Sequence, residues 1–394
     1  MAAPVSASAP AAVGPPEPRR APPAARSGEA RVRIALVVSS TVLTLALIEL
    51  GLRVAGFTPA FKSIALLVSR DGRLLLDCYP TNPRGYFDVD LRSAAAREAY
   101  RSLAPRRYEA IAARAPWAVE FRYNTSRFRG PEIGPRRPGV HRVMVLGDSF
   151  TEGQGVREQD AYPGVLGALL DSAEPGRWKV FNCGRRATDF PALLEAFGDV
   201  LALDPDLVVY GMVLNDTEQS PGFRARQDYV NDLILDRGRM LIGRPGFEMG
   251  RLDSRLAAFV ADRVRSYRVV RETTRWYRDM YAEPNREGWR RTQGYLRRMD
   301  AVMRARGGRL LVASWPLLVG LDGSYPFADA SREIASVLAA AGIPQHDLMS
   351  ALRGRAAESL WVHPVDRHPN EVAHRLAAES LAPVVRRLAG ELAP

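Results

Sequence analysis

Several residues able to do chemistry lie directly after apolar runs in this sequence. Val143-Met-Val-Leu leads into Gly147-Asp-Ser149, then Phe-Thr-Glu-Gly153, and a helix pattern begins a few residues later. A serine on such a turn presents its hydroxyl at the strand end, near the positive end of a helix dipole. Alone, Gly-Asp-Ser reads equally well as an ordinary turn with a capping serine. A second apolar run ends Phe181-Asn-Cys-Gly184, where a glycine lets a backbone N–H approach a ligand closely. A third runs Leu207-Val-Val-Tyr-Gly-Met-Val-Leu and reaches Asn215-Asp216, and Trp361-Val-His-Pro-Val-Asp-Arg-His-Pro-Asn370 precedes the last helix pattern. All four lie at the carboxyl ends of expected strands or in a following loop, where one crevice can collect them.

As a set, these segments resemble the SGNH/GDSL hydrolase family over about residues 139–217 and 285–390. The resemblance implies Ser149 as nucleophile, Asp366 and His368 as its acid and base partners, and an oxyanion hole from the Ser149 N–H, the Gly184 N–H and the Asn215 amide. It also implies a flavodoxin-like, three-layer α/β/α sandwich of about five parallel strands. The third segment departs from the family pattern: the usual glycine two residues before the Asn is replaced by Val213, and Gly211 stands four before it. The chemistry accounts for these residue types. A serine hydroxyl is a poor nucleophile until an imidazole takes its proton, and a carboxylate two residues before the histidine can hold the other ring nitrogen. The tetrahedral intermediate then needs donors aimed at its oxyanion.

His363 lies close enough in sequence to compete with His368 as the base; His141 precedes the first expected strand, His346 sits beside Asp347 at the end of the fifth, and His374, in the last helix, reads as a packing or surface residue. No histidine–carboxylate grouping has metal-ligand spacing, so neither metal nor other cofactor is implied. Cys183 reads as a small apolar residue behind the oxyanion turn, with a Cys78–Cys183 disulfide as the lesser alternative.

Positioning these residues requires strands and helices in alternation. Strands are expected at 142–147, 179–183, 207–212, 309–314 and 343–347, and helices at 162–173, 190–203, 289–305, 328–341 and 371–388. That alternation predicts a parallel sheet covered on both faces. Thr217–Asp300 breaks the rhythm with 18 arginines and 12 acids, and reads as a helical insertion or lid at about 217–285. Upstream, residues 58–138 read as an adaptor, with a short helix near 93–113 and an alternating strand at 119–124. Ile34–Ile48 carries no charge, and continuing through Phe57 it becomes long enough to span a membrane, with Glu49 and Arg53 able to pair four residues apart. Residues 1–33, rich in Ala, Pro, Ser and Arg, read as a disordered tail. Its five arginines against two acids place the N-terminus in the cytoplasm, and a hydrolase domain at 139–394 on the periplasmic or outer face of the inner membrane. A cleaved signal peptide and a buried helix of the soluble domain are the competing readings.

The 394 residues carry a net charge of +11, and 53 of the 55 basic residues are arginine. Two cysteines exclude a disulfide-dense scaffold. The tail and the insertion hold most of the excess charge, so it gives no argument for nucleic acid as a partner. The expected activity is a membrane-anchored serine esterase removing short O-acyl groups from an acylated carbohydrate or lipid. An O-acyltransferase delivering the same acyl group to a cell-envelope glycan and a catalytically silent binding module remain as alternatives.

Overall fold

A computed structural model of the chain describes residues 26–57, 65–68, 74–78, 121–186, 189–230, 253–363 and 366–392. They fall into two compact units: one holds the N-terminal helix with residues 253–260, the other the remainder.

In the first unit, helix α1 spans Arg26–Val54. Its Gly28–Val54 segment is long and apolar enough to cross a membrane, with a mean hydropathy of 2.1 in its most apolar stretch and none of that stretch buried. At 1.5 Å per residue those 27 residues rise about 40 Å. The helix starts eight residues before the expected span, so residues 26–33 are not part of a disordered tail. Arg26, Glu29, Ala30, Arg31 and Arg33 are helix formers that extend an already nucleated helix at one hydrogen bond per residue. Residues 1–25 lie outside the described residues. At the other end Gly56 takes φ +64 and its N–H donates to Arg53 O, while the Phe57 N–H donates to Leu52 O. This is a Schellman cap, and the positive φ is why glycine stands there.

In the second unit, β1 (Ala65–Val68) and β2 (Leu74–Cys78) pair antiparallel. The helix expected near 93–113 lies outside the described residues. The strand expected at 119–124 is reduced to an isolated bridge, Tyr123 to Arg129. Moreover, residues from Phe121 onward belong to the hydrolase domain and not to an adaptor: Phe121, Phe128 and Arg129 are all at most 2% exposed. The domain therefore begins before the expected residue 139.

The chain then follows the expected alternation. It runs β3 (His141–Gly147), a short helix α2 (Ser149–Glu152), α3 (Tyr162–Ala173), β4 (Trp178–Gly184), α4 (Phe190–Leu201) and β5 (Leu207–Met212). After the insertion, with 221–230 helical and helix α5 (Arg255–Asp279), come α6 (Arg286–Ala305), β6 (Arg309–Ser314), α7 (Ala328–Ala341) and β7 (Gln345–Asp347). The last elements are α8 (Met349–Leu352), an antiparallel pair β8 (Trp361–His363) and β9 (Asp366–Pro369), and α9 (Glu371–Gly390).

Strands order β4-β3-β5-β6-β7, all parallel. This is the flavodoxin-like order, and it creates a crevice between the carboxyl ends of β3 and β5, where the connections diverge to opposite sides. The strands read as continuous apolar runs because both faces are buried. Met144 and Leu146 face α4, α6 and α7 across one core; Val143 and Val145 face α3 and α9 across the other. The result is a three-layer α/β/α sandwich.

Candidate active site

Asp148 and Ser149 follow the carboxyl end of β3, an inner strand between β4 and β5. Asp148 N-caps α2: its Oδ1 accepts the Phe150 N–H at 2.9 Å, satisfying one of the free donors of the first turn. Ser149 is the first residue of that helix, half-buried, and its N–H has no intrahelical acceptor. Ser149 Oγ lies 2.9 Å from His368 Nε2 although 219 residues separate them. The His368 ring packs on Phe150, centroids 5.4 Å apart.

His368 is carried by β9, whose backbone pairs with β8 through His363 and Asp366. Asn370 fixes this hairpin to the helix behind it. Its Oδ1 caps α9 by accepting the N–H groups of Val372 and Ala373, and its Nδ2 donates to Ser359 O and Trp361 O. The side chains of His363 and Asp366 lie outside the described residues.

Asn215 follows β5 and donates from Nδ2 to Asp148 Oδ2 at 3.3 Å, which leaves its second N–H for a ligand. The next residue, Asp216, pins this loop. Its Oδ2 accepts from Tyr210 Oη (2.7 Å) and from the Val213 N–H (2.9 Å). Val213 occupies the place where the family pattern has glycine, and its φ is not positive, so no glycine is required. Burial holds the Asp216 carboxyl well above the usual carboxylate range, and the nearby Asp148 charge adds to the effect. Burial also pushes Asp148 up, opposed by the Phe150 N–H and by His368.

Gly184 closes β4 beside the turn that carries Ser149. Its N–H donates to Asn182 Oδ1 at 3.0 Å. Asn182 Nδ2 in turn donates to Glu152 O at 3.3 Å. Glycine is needed here for packing: a Cβ would collide with the backbone nitrogen of Glu152. The signal for this was in the sequence, because an Asn two residues before a glycine can accept its N–H.

The structure adds a supporting layer that motif reading missed. Arg129, buried, donates to the carbonyls of Glu152 (2.7 Å), Gly153 (2.8 Å) and Val156 (2.7 Å) and so holds the far end of α2. Burial lowers its pKa to about 10 against the pull of Glu152 and Glu158. Glu152 accepts from Tyr123 Oη (2.5 Å) and Arg186 Nε (2.6 Å). The Arg129 and Arg186 guanidiniums both lie over the Phe121 ring, 4.0 and 4.5 Å from its centroid. Among the remaining candidates, Cys183 is free and buried, so the Cys78–Cys183 disulfide is not formed. His374 is fully buried and stacked on Tyr162, in keeping with a packing role.

A serine–imidazole pair at the carboxyl end of the first strand of a flavodoxin-like sheet, at its switch point, defines a serine hydrolase. The sequence pattern of the GDSL-like Lipase/Acylhydrolase family matches residues 145–376, and the chain belongs to that family, a serine hydrolase of ester bonds. No curated protein matches the chain. Among solved structures it is similar to an acetylxylan esterase from Geobacillus stearothermophilus, solved as a catalytic mutant. Identity is 14% and the TM-score 0.38, with 65% of this chain and 97% of that one covered. It is also similar to a lipase/acylhydrolase from Enterococcus faecalis (15%, TM-score 0.37, 65% and 98% covered). A third is a member of the lipolytic protein G-D-S-L family from Veillonella parvula DSM 2008 (12%, TM-score 0.32, 63% and 100% covered).

Proposed function

We propose that the protein is a membrane-anchored esterase that removes short O-acyl groups, such as acetyl, from a carbohydrate or lipid outside the cytoplasm. The observation that carries the reading is the 2.9 Å contact of Ser149 Oγ with His368 Nε2 at the sheet's switch point. With the neutral imidazole protonated on Nδ1, Nε2 accepts the serine proton as Oγ attacks the ester carbonyl. Asp366, two residues earlier on the same short strand, is assigned to support Nδ1 of the resulting imidazolium. The oxyanion is assigned to the Ser149 N–H and the free N–H of the Asn215 amide, held in place by Asp148. His368 then returns its proton to the departing alcohol, and water, activated the same way, releases the acid from Ser149. The cellular side is argued from the arginines that precede the uncharged stretch of α1, Arg19, Arg20, Arg26, Arg31 and Arg33 against Glu17 and Glu29, which favour retention of that end in the cytoplasm.

The test is turnover of p-nitrophenyl esters of increasing chain length by the purified full-length protein in detergent, alongside labelling by a fluorophosphonate. Ser149→Ala should abolish both; a variant that still turns over the ester at the wild-type rate refutes the nucleophile.

A further inference from the structure

Arg367 directly precedes the base His368 on β9. It is exposed, and no acid pairs with it among the described residues. Its guanidinium lies over the Trp361 ring, 4.9 Å from the centroid. Trp361 is itself fixed, its Nε1 donating to Leu318 O at 2.7 Å in the loop after β6. A guanidinium held on an aromatic face keeps its fork of N–H donors free and loses little motion when it binds.

Tyr277 comes to the same site from the last turn of α5. Four residues on, Tyr281 Oη donates at 3.0 Å to Leu214 O, the carbonyl just before Asn215, so this end of the insertion is tied to the loop after β5. The Tyr277 ring stands edge-on to Phe327, 5.6 Å away, at the far end of the loop that holds Leu318. Its hydroxyl has no hydrogen-bond partner among the described residues. Burial pushes the phenol up to about 12; the Asp148 charge adds to this, Arg367 opposes it, and Asp216 adds again. Tyr277 is therefore a neutral donor, in the field of Asp148 beside the nucleophile and of Arg367 beside the base.

We propose that Arg367 and Tyr277 hold an anionic group on the alcohol part of the ester, the carboxylate or phosphate of an acidic glycan. The guanidinium offers two parallel N–H bonds to either anion, and the phenol a third donor. The proposal rests on the esterase reading above and gives it a substrate class: a short acyl group carries no charge, so the anion belongs to the leaving alcohol. A phospholipid fits less well. None of the exposed large apolar side chains among the described residues lies in 213–220 or 315–327, where its chains would need a track.

The experiment measures kcat/KM of the full-length protein in detergent on three acetyl esters with the acetyl on the same sugar hydroxyl: a methyl glucoside, a methyl glucuronide and a methyl glucoside phosphate. p-Nitrophenyl acetate is run beside them. At least one anionic ester should exceed the neutral one by about tenfold or more, and the larger ratio identifies the group as carboxylate or phosphate. Arg367→Gln should bring that ratio close to one, and Tyr277→Phe should lower it in part, since it removes one donor and leaves the ring. Taking the ratio within each variant cancels any loss common to all substrates. Arg290→Gln, an exposed arginine of α6, should keep the wild-type ratio. A wild-type ratio near one, a ratio that survives Arg367→Gln, or an equal loss in Arg290→Gln overturns the proposal and leaves the esterase reading standing. Turnover of p-nitrophenyl acetate with none of the sugar esters overturns it too. Failure on all four esters removes the esterase reading, and this proposal with it.

Discussion

The amide of Asn215 has two N–H groups, and the structure commits one of them to Asp148, so the direction of the other is set before a substrate arrives. Such preorganised donors account for a large part of rate enhancement in acyl transfer, and losing one costs about 10²–10³ in kcat. Asn215→Ala is expected to show that loss in steady-state ester hydrolysis with an unchanged unfolding midpoint; near-normal kcat would exclude the assignment. A second residue-level prediction concerns His374. Its Nδ1 accepts the Tyr162 N–H at 3.2 Å, so the proton sits on Nε2, which is buried without a partner. Burial, with the charge of Arg129, lowers its pKa to about 3. The unfolded chain binds this proton near pH 6.5 and the folded chain does not, so the stabilisation is whole above that pH. It is lost at about 1.4 kcal/mol per pH unit as pH falls toward the folded value. His374→Asn keeps an acceptor for Tyr162 and has nothing to titrate, so its stability relative to wild type should improve between pH 6 and 4 in chemical denaturation. A difference independent of pH would contradict this. The placement of Ser149, His368 and Asn215 was legible because each is a chemistry-bearing residue just beyond an apolar run or before a helix. The hydrogen bond of the Gly184 N–H to Asn182 and its close approach to the Glu152 backbone were not read from the sequence, because both depend on how the turn after β3 packs on β4.

At the scale of elements, α2 is a single turn that would be marginal alone, and its geometry is imposed from outside. Asp148 caps one end and Arg129 holds three carbonyls at the other. Hydrogen bonds to a charged group contribute about 1.5–3 kcal/mol each, and removing a buried cation leaves those acceptors unsatisfied. Arg129→Ala should therefore lower stability by roughly 3–5 kcal/mol and reduce fluorophosphonate labelling of Ser149 in the fraction that remains folded. An unchanged denaturation midpoint would show that α2 holds itself. Arg129 was not legible because Arg-Phe-Arg-Gly looks like part of a polar, irregular stretch; nothing in it signals a partner more than twenty residues ahead. The sheet was legible for the opposite reason. Strands buried on both faces leave apolar runs such as Val143–Leu146 and Leu207–Val209 that need no partner to be recognised. β7 is shorter than expected because its pairing with β6 covers only Gln345–Asp347.

For the whole molecule, the chain holds one helix among the described residues that can cross a membrane, and its apolar side chains are uncovered. The full-length protein should stay with the membrane pellet after extraction at alkaline pH and enter the soluble fraction only with detergent. Release by alkali alone would mean that α1 does not span. The extent of α1 was only partly legible, because arginines and a glutamate that continue a helix look the same as those of a disordered tail. The ties between Glu49 and residues 254–256 have one more consequence, in the order of synthesis. The carboxylate and its N–H partners are separated by about 200 residues, which a ribosome adds at roughly 5–20 per second. For some 10–40 seconds after α1 emerges, Glu49 has only Arg53 within its own helix to answer its charge. The newborn helix therefore passes through a stage in which its polar end is incomplete, and the arrival of residues 254–256 closes it.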